Sequence, residues 1–164
     1  MKTLMEDVGE TIFLETLNKN HVTILNVVES HNELKITSPP GTRMPLLVGA
    51  TGRVFLAQLE EKKARELVQK KGLTQYTSKT VADSKRFLKE VEETRKRGYA
   101  IDQEEYILGV TAVAAPVQTT SLPPAAIWVV MFTPSSHDQK MEKAVLEIQK
   151  AAQEISRLLK DRLG

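Results

Sequence analysis

The order of apolar and polar positions divides the chain into short strand-like and longer helix-like segments. Thr11 to Leu17 and His21 to Glu29 are rich in Ile, Val, Leu, Thr and Phe. The turn formers Asn18-Lys19-Asn20 lie between them, which predicts a β-hairpin. A third short strand is predicted over Glu33 to Thr37, stopped by the loop Ser38-Pro39-Pro40-Gly41. Small residues Gly49-Ala50-Thr51-Gly52 then lead into Val54, Phe55, Leu56 and Leu59, a loop opening a short helix. A second helix is expected from Glu60 to Lys71, ending at Gly72. A third is expected over Thr80 to Arg97, with Val81, Phe87, Leu88 and Val91 on one face. Thr80 and Asp83 are placed to cap it, Arg95-Lys96-Arg97 suit the negative end of its dipole, and Gly98 stops it.

The period then changes. Ile107 to Val117 and Ala125 to Phe132 are apolar runs separated by the polar, Pro-rich stretch Gln118 to Pro124, so two adjacent central strands joined by a turn are predicted. Ser136 and Gln139 have capping-box spacing, and Met141, Val145, Ile148, Ala152, Ile155 and Leu159 repeat every three or four residues along a long closing helix. That stripe can serve the chain's own sheet, a second subunit, or both. Strands joined mostly by hairpins make an antiparallel sheet, and the helices must gather on its faces: an α+β fold.

Composition narrows the function classes. The 164 residues suit one domain with a single core. The longest apolar run, Ala125 to Phe132, falls far below the roughly 20 residues that cross a bilayer, and no secretory signal opens the chain, so a cytoplasmic location is expected. Cysteine is absent, which removes disulfides, thiolate catalysis and Cys-based zinc sites. With 23 basic and 21 acidic residues the net charge is only +2, so nothing in the totals attracts a polyanion. The basic clusters Lys62-Lys63, Lys70-Lys71 and Arg95-Lys96-Arg97 sit among glutamates on predicted helices and read as solvated faces.

Candidate catalytic groups are few. His21, His31 and His137 fall in or beside predicted turns without acidic partners at metal-ligand spacing, so neither a metal nor a cofactor is expected. Ser135-Ser136-His137-Asp138 has the composition of a hydrolytic triad without its architecture, and helix capping explains it better.

Two stretches carry more. The first holds Gly41-Thr42-Arg43-Met44-Pro45-Leu46 followed by Gly49-Ala50-Thr51-Gly52-Arg53. The second holds Gly98-Tyr99-Ala100-Ile101-Asp102-Gln103-Glu104-Glu105, then Gly109 and the strand Ala114-Ala115-Pro116-Val117. In order and spacing they resemble the effector-binding domain of the IclR family of bacterial transcription regulators, over nearly the whole chain. The family usually has Lys where this chain has Arg53 and a second acid where it has Gln103.

The resemblance implies a GAF-like antiparallel central sheet with a long C-terminal helix, no enzymatic activity, and self-association as a dimer or tetramer. Relatives usually carry a winged helix-turn-helix of several dozen residues before this domain. Residues 1–164 are therefore expected to be the effector-binding domain alone, touching DNA only through that absent head and no membrane.

The first turn of a helix offers unpaired N–H groups and a positive dipole end, and the small side chains of Ala50, Thr51 and Gly52 let an anion approach. A tight turn against the sheet would equally account for the glycines. Val110 and Ala112 share one strand face, Trp128 and Val130 another, as cavity wall or as ordinary core. Asp102 reads equally as a ligand acceptor or a turn residue. What the resemblance adds is a set of matching positions that line the family's effector cavity: Ile36, Met44, Ala50, Thr51, Asp102, Val110, Ala112, Trp128 and Val130. Because Ala112, Trp128 and Val130 offer no side-chain acceptor, a small carboxylate with an apolar or aromatic body is expected rather than a sugar acid. Two other readings stand beside this one: a free-standing GAF-like enzyme such as a methionine sulfoxide reductase, disfavoured by the lack of cysteine, and an oligomerisation module whose cavity is filled by Trp128.

Overall fold

The computed structural model describes residues 1–119 and 122–163. Its chain order is α1 (Lys2–Val8), β1 (Thr11–Asn18), β2 (His21–Val28), β3 (Arg43–Pro45), α2 (Gly49–Ala57), α3 (Glu61–Lys71), α4 (Ser84–Arg97), β4 (Ala100–Gln103), β5 (Val110–Val117), β6 (Ala125–Phe132) and α5 (Asp138–Leu163), with a 3-10 turn at Thr133–Ser135. The six strands form one sheet in the order β3-β2-β1-β6-β5-β4, with every neighbouring pair antiparallel. This is the expected α+β architecture with a long closing helix.

Beta hydrogen bonding places β6 at the centre of the sheet, between β1 and β5. Both central strands are buried on both faces: in β6 only Phe132 is less than fully buried. That explains why the sequence shows continuous apolar runs there rather than alternation. α2 packs on β4, β5 and β6, while α5 packs on β5, β6 and α1. Ala144, Ile148 and Ala152 of α5 are buried, and Met141, Val145, Ile155 and Leu159 pack against the same core, so the stripe on this helix serves its own sheet.

Several expectations are corrected. Glu33 to Thr37 forms no strand; the third strand is Arg43–Pro45, which pairs with β2 through His21↔Pro45, Val22↔Met44 and Thr23↔Arg43. The alternation over Glu33 to Thr37 had no neighbour to pair with, and sheet formation is decided by the partner. Ile107 and Leu108 are exposed in a turn, so the strand begins at Val110. Ala100–Gln103, not anticipated as a strand, forms the sheet edge, and α1 was likewise unanticipated.

Two caps also differ. Asp83 accepts the N–H of Arg86 and starts α4, whereas Thr80 Oγ1 serves the preceding loop, accepting from Tyr76 and Thr77 N–H. At α5 the Ser136–Gln139 box does not form: His137 Nδ1 accepts the N–H of Lys140, and Ser136 Oγ donates to the Thr133 carbonyl. A competing bond in the 3-10 turn captures the serine. Thr120 and Ser121, within the predicted turn between the central strands, lie outside the described residues.

Candidate effector site

α2 opens abruptly. Val48 precedes it in extended conformation, no side chain caps it, and its first turn holds no acidic residue. The first amide to bond back along the helix is Gly52 N–H, to Val48 O at 3.2 Å. The amides before it are the ones a helix cannot satisfy internally, and they carry the positive end of the dipole. Two glycines make this start possible. Gly49 has φ +62°, and a Cβ there would lie 2.1 Å from Asp102 Oδ2. A Cβ on Gly52 would lie 2.4 Å from the Leu46 carbonyl oxygen. The helix start is thus pressed against the Asp102 carboxyl on one side and the incoming chain on the other.

Asp102 sits on β4 and is 8% exposed. Its Oδ1 accepts the N–H of Glu105 at 2.7 Å. The residue is therefore both turn former and inward-facing carboxyl, so the two sequence readings are not exclusive. Burial raises its pKa to about 6, against the Glu105 N–H bond and the Arg53 charge, which favour the anion, while the Glu105 charge adds to the rise.

One helical turn into α2, Arg53 is buried in a polar knot. Its Nη1 donates to Glu105 Oε2 at 2.9 Å and lies 3.1 Å from Glu90 Oε2 on α4; Nη2 donates to the Ile101 carbonyl at 2.6 Å and to Glu105 Oε1. Burial works against the Arg53 charge, but the Glu105 and Glu90 carboxylates outweigh it and hold the guanidinium above its usual pKa. A planar fork of donors is needed to reach the carboxylates and the carbonyl together, which gives arginine a reason to stand where the family usually has lysine.

Register fixes what faces the helix start. Asp102, Ala112, Val130 and Thr11 are paired in a row across β4, β5, β6 and β1. The next row is Ala100, Ala114, Trp128 and Phe13, and the one beyond runs from Pro116 through Ala126 and Glu15 to Ile24. Rows two residues apart share a face, and the contact of Asp102 with Gly49 identifies it as the face under α2. Of the nine expected residues, Ala50 and Thr51 are in the first turn of α2, and Asp102, Ala112, Trp128 and Val130 lie on this face, with Val110 at the start of β5, opposite Phe132. Met44 lies three strands from β6, opposite Val22, and Ile36 is half-buried in the irregular segment before β3 with no register to tie it to the face. None of the nine lines the four cavities described among these residues.

The wall is not wholly apolar, because β1 supplies Glu15, fully buried on the same face. The row between Glu15 and Asp102 holds Phe13, whose ring stacks on Trp128 at 4.5 Å and 20°. Burial pushes the Glu15 carboxyl up to about 8, and the nearby Trp128 indole offsets only part of this. Neither Glu15 oxygen nor Trp128 Nε1 has a partner in hydrogen-bond geometry. Sequence reading missed Glu15 and Glu105 as parts of the site. A lone acid two residues after Phe13, in the inward phase of a predicted strand, was the available signal for the first. Among the described residues no group of three or more His, Asp or Glu side chains could hold a metal.

An uncapped helix start facing an antiparallel sheet is an arrangement that can take a small anion. The match to known proteins makes this specific: the profile of the bacterial transcriptional regulator IclR C-terminal family covers residues 1–157, and the chain belongs to that family. It is similar to the transcriptional repressor IclR of Escherichia coli K12, 33% identical over 117 residues, 70% of this chain and 43% of the relative. It is also similar to the repressor AllR of the same organism, 30% identical over 71% of this chain and 43% of the relative. The chain thus spans less than half the length of these relatives. Among solved structures, the Thermotoga maritima IclR matches with TM-score 0.89 and 28% identity over 96% of this chain and 64% of that one. The inducer-binding domain of a double mutant of the Acinetobacter transcription factor PobR, in complex with 3-hydroxybenzoic acid, matches with TM-score 0.84 and 27% identity over 96% and 93%. The chain is therefore an effector-binding domain of a transcription regulator; its relatives are repressors, not enzymes.

Proposed function

We propose that this domain senses a small organic carboxylate held between the first turn of α2 and the face carrying Asp102, Ala112, Val130 and Trp128. The observation that carries the reading is the uncapped start of α2 against Asp102: main-chain donors that the helix cannot satisfy internally and a dipole end on one side, a small-residue wall on the other. The 3-hydroxybenzoate in the PobR domain supports an aromatic acid as a probe.

In the full regulator, a preceding winged helix-turn-helix would read DNA, the domain would pair with other copies as a dimer or tetramer in the cytoplasm, and the effector would favour one arrangement of the heads. Calorimetry with benzoate and 3-hydroxybenzoate tests the site. Saturable one-to-one binding that Gly52→Val abolishes is expected; binding of polyhydroxylated acids alone would defeat the reading. Sedimentation across concentrations tests self-association, which a monomer throughout would exclude.

A further inference from the structure

The face under α2 has a feature that a plain carboxylate does not use. Its floor is paved with small side chains, Ala100, Ala112, Ala114 and Ala126, all buried. At the end away from Asp102 stand Glu15, on the row of Ala126, and Trp128, on the row of Ala114. Glu15 is 0% exposed and Trp128 9%. Both Glu15 oxygens and Trp128 Nε1 lack hydrogen-bond partners. More than nine in ten buried polar groups in folded proteins are partnered, and an orphaned one costs its full desolvation, so three orphaned atoms on neighbouring rows of one face need a reason.

The indole lies near enough to lower the Glu15 pKa but not in hydrogen-bond geometry, and pairing the two side chains would still leave one Glu15 oxygen without a donor. Leucine would fill the Glu15 position without the penalty, and phenylalanine could stack on Phe13 without an N–H. A ligand does give a reason: a hydroxyl or amine can donate to Glu15, and its lone pair, where it has one, can accept from the indole. Asp102 and the start of α2 serve the other end of such a ligand. Arg53 does not compete for Glu15, being held by Glu105, Glu90 and the Ile101 carbonyl.

We propose that Glu15 and Trp128 are specificity-determining residues of the effector site, selecting a carboxylate that carries a hydroxyl or amino group at its far end. This rests on the carboxylate site proposed above and names the class of acid it takes. Glu15 supplies the acceptor, Trp128 the donor, and the alanine floor sets the span between them and α2. The expected single polar handle distinguishes this class from both unsubstituted and polyhydroxylated acids.

The test uses matched acids on the whole chain: benzoate against 3-hydroxybenzoate, and butyrate against 4-aminobutyrate. Trp128 is the only tryptophan in the sequence, so its fluorescence reports the site directly. The substituted member of at least one pair is expected to bind ten-fold or more tighter than its parent and to shift Trp128 emission. Glu15→Leu should bring the pair within about two-fold by weakening the substituted acid, and Glu15→Gln, which keeps the shape, should retain part of the preference for the hydroxyl. Equal binding of both members by the unaltered chain, or a preference that survives Glu15→Leu, overturns the selectivity proposal alone. Binding of none of the four acids overturns the carboxylate site itself and this proposal with it.

Discussion

Arg53 and Glu105 form a buried two-point ion pair, Nη1 to Oε2 at 2.9 Å and Nη2 to Oε1, that fastens the body of α2 to the turn after β4. The side chains are 3% and 9% exposed, so neither end is relieved by water. Glu90 closes the knot from α4 and holds Arg86 with its other oxygen.

Removing one partner of such a pair strands the other charge. Arg53→Met should cost about 3–5 kcal/mol of stability, because Glu105 is then buried without its cation. Arg53→Lys should cost less, since an ammonium keeps the charge but cannot make the two-point bond and reach the Ile101 carbonyl together. Urea unfolding of the two variants checks the order; equal losses would mean the fork geometry contributes nothing.

Gly49 and Gly52 should respond differently to alanine. At Gly49 the new Cβ meets the Asp102 side chain, which can give way only by loosening its bond to the Glu105 N–H, so that displacement adds to the cost of the positive φ, about 1–2 kcal/mol. At Gly52 it meets the backbone carbonyl of Leu46, which cannot, so the start of α2 must shift. Gly52→Ala is expected to be the more damaging, and pairing Gly49→Ala with Asp102→Ala should recover part of the first loss but none of the second. Thermal melts of the four variants decide it.

How much of this could be read from the sequence depends on whether a feature is local. The hairpin of β1 and β2, the helices around Phe87 and Ile148, and the apolar runs of β5 and β6 all announce themselves by period and punctuation. The strand Arg43–Pro45 does not, because three residues with Pro at the end gain their strand character only from β2. Ala100–Gln103 hides for the same reason, as the edge partner of β5. At the site, the small-residue start of α2 and the inward face of Ala112 and Val130 are legible. The Asp102–Gly49 contact and the Arg53–Glu105 pair are not: they join residues about fifty positions apart, and only the fold brings them together. Glu15 was visible as an acid in a strand, but its burial is set by the whole fold and not by its neighbours in sequence.

Two raised carboxyls should make the domain less stable as pH rises. A carboxyl whose pKa is higher folded than unfolded binds its proton more tightly in the native state, so its contribution is complete below the unfolded value and is lost as pH climbs through the folded one. For Asp102 that window runs from about 4 to about 6, and for Glu15 from about 4.5 to about 8. Each group lowers stability by about 1.4 kcal/mol per pH unit at most within its window, and the two add where the windows overlap. Asp102→Asn should flatten the lower part of the curve and Glu15→Gln the upper. Urea midpoints from pH 4 to 9 measure this, and stability rising with pH between 6 and 8 in the unaltered chain would contradict the Glu15 assignment.

Effector binding should take up a proton. A carboxylate at the start of α2 lies beside Asp102, whose surroundings already include the Glu105 and Glu90 carboxylates, paired with Arg53 and, at Glu90, also with Arg86. Two like charges at this distance in a buried setting cannot both persist, so the ligand should enter as the anion while Asp102 becomes neutral. Below pH 6 Asp102 is already mostly protonated and affinity should be flat; above it, affinity for benzoate should fall by up to ten-fold per pH unit. Calorimetry at pH 7.5 in buffers of different ionisation enthalpy should register uptake approaching one proton, reduced to near zero in Asp102→Asn. Uptake that persists undiminished in that variant would assign the proton to another group, and pH-independent affinity from 5 to 8 would place the ligand carboxylate away from Asp102 altogether.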